Sequence, residues 1–371
     1  MHIENPFTLF DQVIKWFVIL CMMIIVKDVL DKIGGMNKKT ILTGITTTGK
    51  PHLGNYAGAI RPAIEASLEQ GLQSFYFLAD YHSLVKNKDP KEVKKSCMEV
   101  AATWLALGLD TKKTYFYRQS DIPEIPELMW ILSTFTAKGL MNRAHAYKSA
   151  VQLNEESGGS DSDKAISMAL FSYPILMAAD ILMFKATHVP VGQDQKQHME
   201  MVRDVAQRFN HHFGDIFVVP KAVIAKESAI LPGLDGRKMS KSYNNSIPLF
   251  LDSNQTRKLI MKIKTNSLGP GEPKSTEACT LFDIYQAISK PEESLLFKEQ
   301  LEQGMAWSDA KEKLFVYIED LFSGSKEEYL KLIEDQTYLE SLLFAGAEKA
   351  RDLSSPYLKK IKMALGIGSL V

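Results

Sequence analysis

Four short stretches carry side chains whose types and spacing suit chemistry. The first is TGITTTGKPHLGNYAGAI, from Thr43 to Ile60. A strand ends there, Gly44 and Gly49 turn the chain, and a helix opens near Asn55. Backbone N–H groups at a helix start can hold phosphate, and the helix dipole favours the negative charge. Gly54 lets a nucleotide approach with no Cβ in the way, and His52 can stabilise charge on a transferring phosphoryl group. The same letters also fit a plain βα turn capped by Asn55. A P-loop is excluded, because GxxxxGK followed by Ser or Thr is absent.

The second stretch is DGRKMSKSYNN, Asp235 to Asn245, with Arg237, Lys238 and Lys241 within five residues among Gly and Ser. Such a loop can swing cations onto a triphosphate and stabilise departing pyrophosphate. A solvated basic turn is the alternative. The third is YPILMAADILMF, Tyr173 to Phe184, where Asp180 stands inside an apolar run. An Asp is almost never fully buried without a partner. On a helix, Met177 and Asp180 share a face, giving an apolar platform beside one acceptor, which suits an aromatic ligand carrying an N–H or O–H. The alternative is a first-turn Asp facing water. The fourth is VPVGQDQKQH, Val189 to His198. Gly192 and Asp194 follow a strand, at the edge where open α/β sheets bind ligands. Asp194 suits ribose hydroxyls there, or else it caps the next helix.

These stretches need elements to position them. Lys39–Gly44, Ser74–Leu78, Thr114–Tyr117 and His188–Val191 read as strands. Helices are predicted from about Tyr56 to Gln70, over Lys91–Leu107, over Pro126–Leu140, over Tyr173–Phe184, and from Asp194 to Phe209. Val93, Cys97, Val100, Ala101 and Trp104 form one apolar stripe, and Met199, Val202, Ala206 and Phe209 another. Asn154–Lys164 reads as a polar loop. Strands alternating with helices imply an α/β fold with a doubly wound parallel sheet. After about Pro248 the strand signal fades into charge-laced helix, so an all-helical C-terminal domain is expected.

The order of the four stretches is that of a known family. His52-x-Gly54-Asn55 early, Gly-x-Asp-Gln in the middle and KMSKS before a helical tail resemble the class I aminoacyl-tRNA synthetases. GNYAGAI, YPILMAADIL, VPVGQDQKQHMEMVRDVAQRFN, GRKMSKS and the tail AGAEKARDLSSPYLKKIKMALGI are similar to the tryptophanyl branch. The resemblance runs from about Lys39 to Ile367. It implies a Rossmann-like catalytic domain over 36–247 and a helical, anticodon-binding domain over 248–371. It also implies ATP with Mg2+ as substrate, L-tryptophan and tRNA as partners, a homodimer and a cytoplasmic location.

The same resemblance assigns roles. Thr46, Thr47, Thr48, Gly54 and Asn55 match a first ATP-contacting segment, and Gly192, Gln193 and Asp194 a second. Ile230 matches a residue packed on adenine, and Lys238, Met239, Ser240, Lys241 and Ser242 the loop over the phosphates. Asp180 matches the carboxylate that accepts the indole N–H, with Met177, Val191, Tyr173, His82 and Gln195 around the amino acid. Lys148 matches a loop lysine reaching the triphosphate. His52, Asn55, Lys148, Lys238 and Lys241 are then the catalytic set. The chain departs from the family at Thr47-Thr48, where Pro-Ser or Pro-Thr is frequent, at Gln193, where Glu is common, and at Leu42, where an aromatic is common. A tyrosyl enzyme, a small-molecule nucleotidyltransferase and a non-catalytic RNA-binding relative are the competing readings.

Composition sets bounds on all of this. The chain has 371 residues, 44 Lys+Arg against 44 Asp+Glu, and 45% hydrophobic residues, which excludes a disordered or low-complexity protein. Zero net charge excludes only a uniformly basic surface, because a local patch hides in a zero total. Ala345–Val371 holds five Lys/Arg against two Asp/Glu, compatible with phosphate contacts or with a solvated helix face. Cys21, Cys97 and Cys279 form no CxxC pair, so neither a disulfide framework nor a metal site is expected. Trp16–Val26 is an apolar run of eleven residues between Lys15 and Lys27, short of the roughly 20 that span a bilayer. Glu4 and Asp11 spoil a signal-peptide n-region. Residues 1–35 therefore read as an extension ahead of a start at Met36, as a helix packed on the body, or, last in order, as a membrane-associated segment.

Overall fold

Five strands form one all-parallel sheet in the order β3-β2-β1-β4-β5. The computed structural model describes residues 39–158, 160–224 and 231–368, and the readings made for residues 1–35 and for Ile230 lie outside them. Strand β1 (Lys39–Ile45) pairs with β2 (Leu72–Leu78) from Lys39↔Leu72 to Ile45↔Leu78. Every residue of β2 from Ser74 onward is buried, as expected of a central parallel strand covered on both faces. Alternation sends Phe75 and Phe77 to one face of the sheet and Tyr76 and Leu78 to the other, and each pair joins a separate apolar core.

Between β1 and β2 the chain is helical over 53–67, here α1. Its middle turn, Tyr56–Ile60, is a π-turn. The short α2 (Asp80–Ser83) follows β2, and α3 (Pro90–Ala106) leads towards β3 (Tyr115–Arg118). Helix α3 starts where predicted: Asp89 accepts N–H bonds from Lys91 and Glu92, and Pro90 takes the first turn. Helix α4 (Glu124–Ser133) is shorter than the predicted Pro126–Leu140 run. The hydroxyls of Thr134 and Thr136 bond back to the carbonyls of Ile131 and Leu132, ending the helix. The remainder forms the separate α5 (Lys138–Met141).

Helix α6 (His145–Glu156) was not anticipated, and it takes in the start of the expected polar loop. None of its residues is buried, so it has no apolar stripe to read. Helix α7 (Met168–Met183) begins five residues before the predicted Tyr173. Ser167 caps it through Leu170 N–H at 3.2 Å, and Pro174, the second residue of the predicted run, sits inside it. Then come β4 (His188–Val191), α8 (Lys196–Phe213) and β5 (Lys221–Ile224). Strand β5 escaped prediction because all four of its residues are exposed on the sheet edge, leaving no alternation to detect.

The C-terminal part is helical: α9 (Ser253–Met261), α10 (Thr280–Ile288), α11 (Pro291–Glu302), α12 (Trp307–Glu334) and α13 (Gln336–Ala364). Helix α12 packs on α3, and α13 lies along β3. The α13 contact is close enough to demand glycine. A Cβ at Gly346 would stand 1.8 Å from the carbonyl oxygen of Phe116.

Candidate active site

The sheet order creates a crevice. From β1 the chain winds outward through β2 to β3, then returns to β4 on the other side of β1. Loops leaving the carboxyl ends of β1 and β4 therefore diverge, and ligands of open α/β sheets bind in that gap. Thr46, Thr47 and Thr48 follow β1. Gly192 follows β4 and opens the 3-10 turn Gln193–Gln195. Asp194 lies in that turn, and the cap position of α8 falls on Gln195, whose side chain caps no backbone N–H of the helix. Thr46, Thr48, Gly192 and Gln193 are exposed. Thr47 is 1% exposed, and its hydroxyl has no hydrogen-bond partner.

His52 sits at the cap of α1 and forms a reciprocal pair with Asn55. The His52 N–H donates to Asn55 Oδ1 at 3.0 Å, and the Asn55 N–H donates to His52 Nδ1 at 3.3 Å. Burial, and then the Lys241 ammonium, bring the imidazole pKa down to about 4. The ring is therefore neutral at pH 7. Because Nδ1 accepts, the proton resides on Nε2. His52 is thus a neutral donor rather than a cation.

The two signature segments touch. Leu53 N–H donates to the Ile247 carbonyl and Leu249 N–H to the Pro51 carbonyl, each at 2.9 Å. Lys241 Nζ donates to the Thr48 carbonyl, and burial of its ammonium lowers its pKa. Met239 is 4% exposed, and its sulfur accepts the Gly54 N–H at 3.3 Å. The expected open approach at Gly54 is thus filled by the protein itself. A Cβ there would meet the His52 ring at 3.1 Å and Met239 at 3.5 Å. Lys238, Lys241 and Ser242 are exposed, and Ser240 Oγ lies 2.8 Å from Ser242 Oγ.

A second cluster forms beside the crevice. Asp180 is the thirteenth residue of α7 and 1% exposed, so the water-facing alternative is overturned. Gln119 Nε2 donates to its two oxygens at 2.8 and 2.9 Å, and His82 Nε2 lies 2.9 Å from Oδ2. Burial raises the Asp180 pKa, and the His82 and Gln119 hydrogen bonds oppose the rise. A carboxylate has about four acceptor sites. Oδ2 has two partners and Oδ1 one, so Oδ1 keeps an acceptor site for a ligand donor. Tyr173 stands edge-on to His82, with ring centroids 6.3 Å apart. Its hydroxyl lies 2.7 Å from His198 Nε2, and His198 Nδ1 lies 2.7 Å from Gln195 Oε1. Met177, one helical turn before Asp180, and Val191, at the end of β4, are half-buried.

Lys148 makes none of these contacts. It is exposed on α6 rather than on a loop, and among the described residues no hydrogen bond or ion pair joins it to the signature segments. Three residues escaped the sequence reading: Gln119, His198 and Asn245. Gln119 was within reach, since it follows the end of β3 at the carboxyl edge of the sheet, the position that singled out Gly192, whereas His198 lies inside α8. Asn245 closes the DGRKMSKSYNN stretch, but no spacing rule marks it.

Fold and site together define a class: a nucleotide-binding parallel sheet with a basic loop over its switch point. The family described as tRNA synthetases class I (W and Y) matches residues 36–323, and this chain belongs to it. The "Tryptophan--tRNA ligase" of Pseudomonas putida is 57% identical over 332 residues, covering 89% of this chain and 74% of that protein. That of Neisseria meningitidis is 53% identical over 335 residues, covering 90% of this chain and all of that protein. Among solved structures, tryptophanyl-tRNA synthetase from Campylobacter jejuni, complexed with ADP and tryptophan, superposes with a TM-score of 0.81. It is 38% identical and is covered completely by 88% of this chain.

Proposed function

We propose that this chain activates L-tryptophan with ATP, releasing pyrophosphate, and passes the tryptophanyl group to the 3′ end of its tRNA. The observation that carries the amino-acid choice is the buried Asp180 carboxylate, held by Gln119 and His82 with one acceptor site to spare. An indole N–H fills that site. Phenylalanine would leave it unpaired in a dry pocket, and such sites reject the analogue strongly. The relatives that share the whole catalytic part carry the tryptophan name, which disfavours the tyrosyl alternative.

The first step is in-line attack by the tryptophan carboxylate on the α-phosphorus of ATP. That nucleophile is already ionised at pH 7, so catalysis consists of positioning and charge stabilisation, with no general base. The crevice between β1 and β4 takes the nucleotide, with Thr46–Thr48 and Asn55 on one side and Gly192–Asp194 on the other. His52 Nε2–H donates to a phosphate oxygen. Lys238 and Lys241 neutralise the departing pyrophosphate, for which Lys241 must leave the Thr48 carbonyl. Mg2+ enters as the companion of the triphosphate, part of the substrate. In the second step the 2′-hydroxyl of the terminal ribose takes the tryptophanyl group from the adenylate.

Residues 36–247 then form the catalytic part, and the helices beyond 248 the part that reads the anticodon. A homodimer in the cytoplasm completes this reading. No helix among the described residues is long and apolar enough to cross a membrane. ATP–pyrophosphate exchange across the twenty amino acids tests the proposal. Tryptophan alone should drive exchange above background. Exchange driven by tyrosine, or by none of the twenty, overturns it.

A further inference from the structure

Lys238 and Lys241 stand on a loop that one buried side chain braces from beneath. Asn245 is 2% exposed. Its Oδ1 accepts the Ser240 N–H at 2.9 Å, and its Nδ2 donates to Asp235 Oδ1 at 2.7 Å and to the Lys238 carbonyl at 3.1 Å. One amide thus ties the start of the loop at Asp235 to its two middle residues. The ties are specific to the amide. A carboxylate at 245 would keep the acceptor, lose both donors and face Asp235, whose pKa the Asn245 bond and Arg237 bring down to about 2. An aliphatic side chain would lose all three bonds and strand the Ser240 N–H and the Lys238 carbonyl. The main chain is shaped around the amide as well. Leu234 N–H donates to the Asn245 carbonyl at 2.9 Å. A Cβ on Gly233 would stand 2.4 Å from Asn245 Cγ and 2.6 Å from its carbonyl oxygen.

We infer that Asn245 is a positioning residue for the phosphate step: it touches no substrate, and it sets the backbone from which Lys238 and Lys241 reach the triphosphate. This rests on the reading of the loop as an ATP-closing element. The test is pyrophosphate exchange by the full chain carrying Asn245→Ala, Asn245→Asp or Gly233→Ala, with each substrate varied in turn. All three are expected to lower kcat/KM for ATP by about 10- to 100-fold, while the KM for tryptophan stays within about twofold. The decisive comparison adds Lys238→Ala and Lys241→Ala together. If Asn245 acts through these two lysines, adding N245A to K238A/K241A lowers kcat/KM by no more than about a further threefold, because the changes remove one function.

Multiplying effects in that cycle, or parallel losses for ATP and tryptophan, overturn the role given to Asn245 while wild-type exchange stands. If N245A does not fold, N245D and G233A carry the same measurement, since one is nearly isosteric and the other leaves Asn245 in place. A wild-type protein without tryptophan-dependent exchange overturns the functional reading itself, and this inference with it.

Discussion

The amino-acid pocket and the phosphate crevice lie at the same edge of the sheet but are built differently. In the pocket, Asp180 and Gln119 are 1% and 0% exposed and bonded to each other, with His82 completing the set. In the crevice, Thr46, Thr48 and Lys238 are exposed, and Lys241, its ammonium partly buried, is bonded to a backbone carbonyl. A charge–dipole contact in a dry site is worth several times one in water, whereas exposed charges are screened. On the proposed function, discrimination between amino acids is placed in preformed, dry structure, and charge stabilisation on a loop that gains strength when the triphosphate arrives and water leaves.

The sharpest break between the two regions is expected at Asp180. Asp180→Ala should raise the KM for tryptophan about 10³-fold, roughly 4 kcal/mol, while the KM for ATP moves less than about threefold. Steady-state pyrophosphate exchange with each substrate varied gives both numbers. Equal effects on the two substrates would mean that pocket and crevice are one structure, and would remove the basis for assigning Asp180 to the indole.

A pH experiment separates the regions by stability. The folded pKa of His52 is about 4 against an ordinary 6.5. Between those values the unfolded chain binds a proton that the folded chain refuses, so stability falls as pH drops from about 6.5 to 4 and levels off below. The linked loss is up to about 3 kcal/mol. His52→Asn keeps a capping side chain at the helix start and removes the titration. Urea unfolding of wild type and this variant at pH 7 and pH 4.5 should show the wild type losing more. Parallel losses would mean that the imidazole is not held neutral by its buried setting.

The phosphate side is tested by Lys241→Ala. Removing one preorganised cation from a developing charge typically lowers turnover about 10²-fold. The tryptophan Kd measured without ATP should not change. A loss of tryptophan affinity would show that the basic loop reaches into the pocket, erasing the contrast.

The two regions also differ in how well the sequence foretold them. The crevice is made of contiguous letters, HLGN and KMSKS, so its parts can be named from the letters alone. Its fit cannot, because the packing of Met239 against Gly54 joins residues 185 apart. The pocket is assembled from the ends of different strands and from α7. Asp180 stood out as a charge in an apolar run, but nothing in the letters pairs it with Gln119, 61 residues away. The sheet was legible wherever burial imposed a pattern. It was illegible at β5 and α6, where exposure removes periodicity, and at the start of α7, where Pro174 mimics a helix start while sitting inside one.

The smallest effect is expected where the pocket meets the C-terminal helix, and it bears on whether the pocket stands alone. Arg118, at the end of β3, donates through Nη1 to Glu340 Oε2 of α13 at 2.9 Å and through Nε to Asp121 at 2.8 Å. The next residue is Gln119, which holds Asp180. Glu340 has 57% of its side chain exposed, so its ion pair is worth about 1 kcal/mol or less. Without it, Arg118 keeps Asp121, and the buried Gln119–Asp180 bonds are untouched. Glu340→Ala is therefore expected to lower stability by no more than about 1 kcal/mol in urea titration and to leave the KM for tryptophan within about twofold. A larger rise in KM would show that α13 sets the register of residues 118–121, and through Gln119 the aim of Asp180. The pocket would then be shaped from the helical part rather than from the sheet alone.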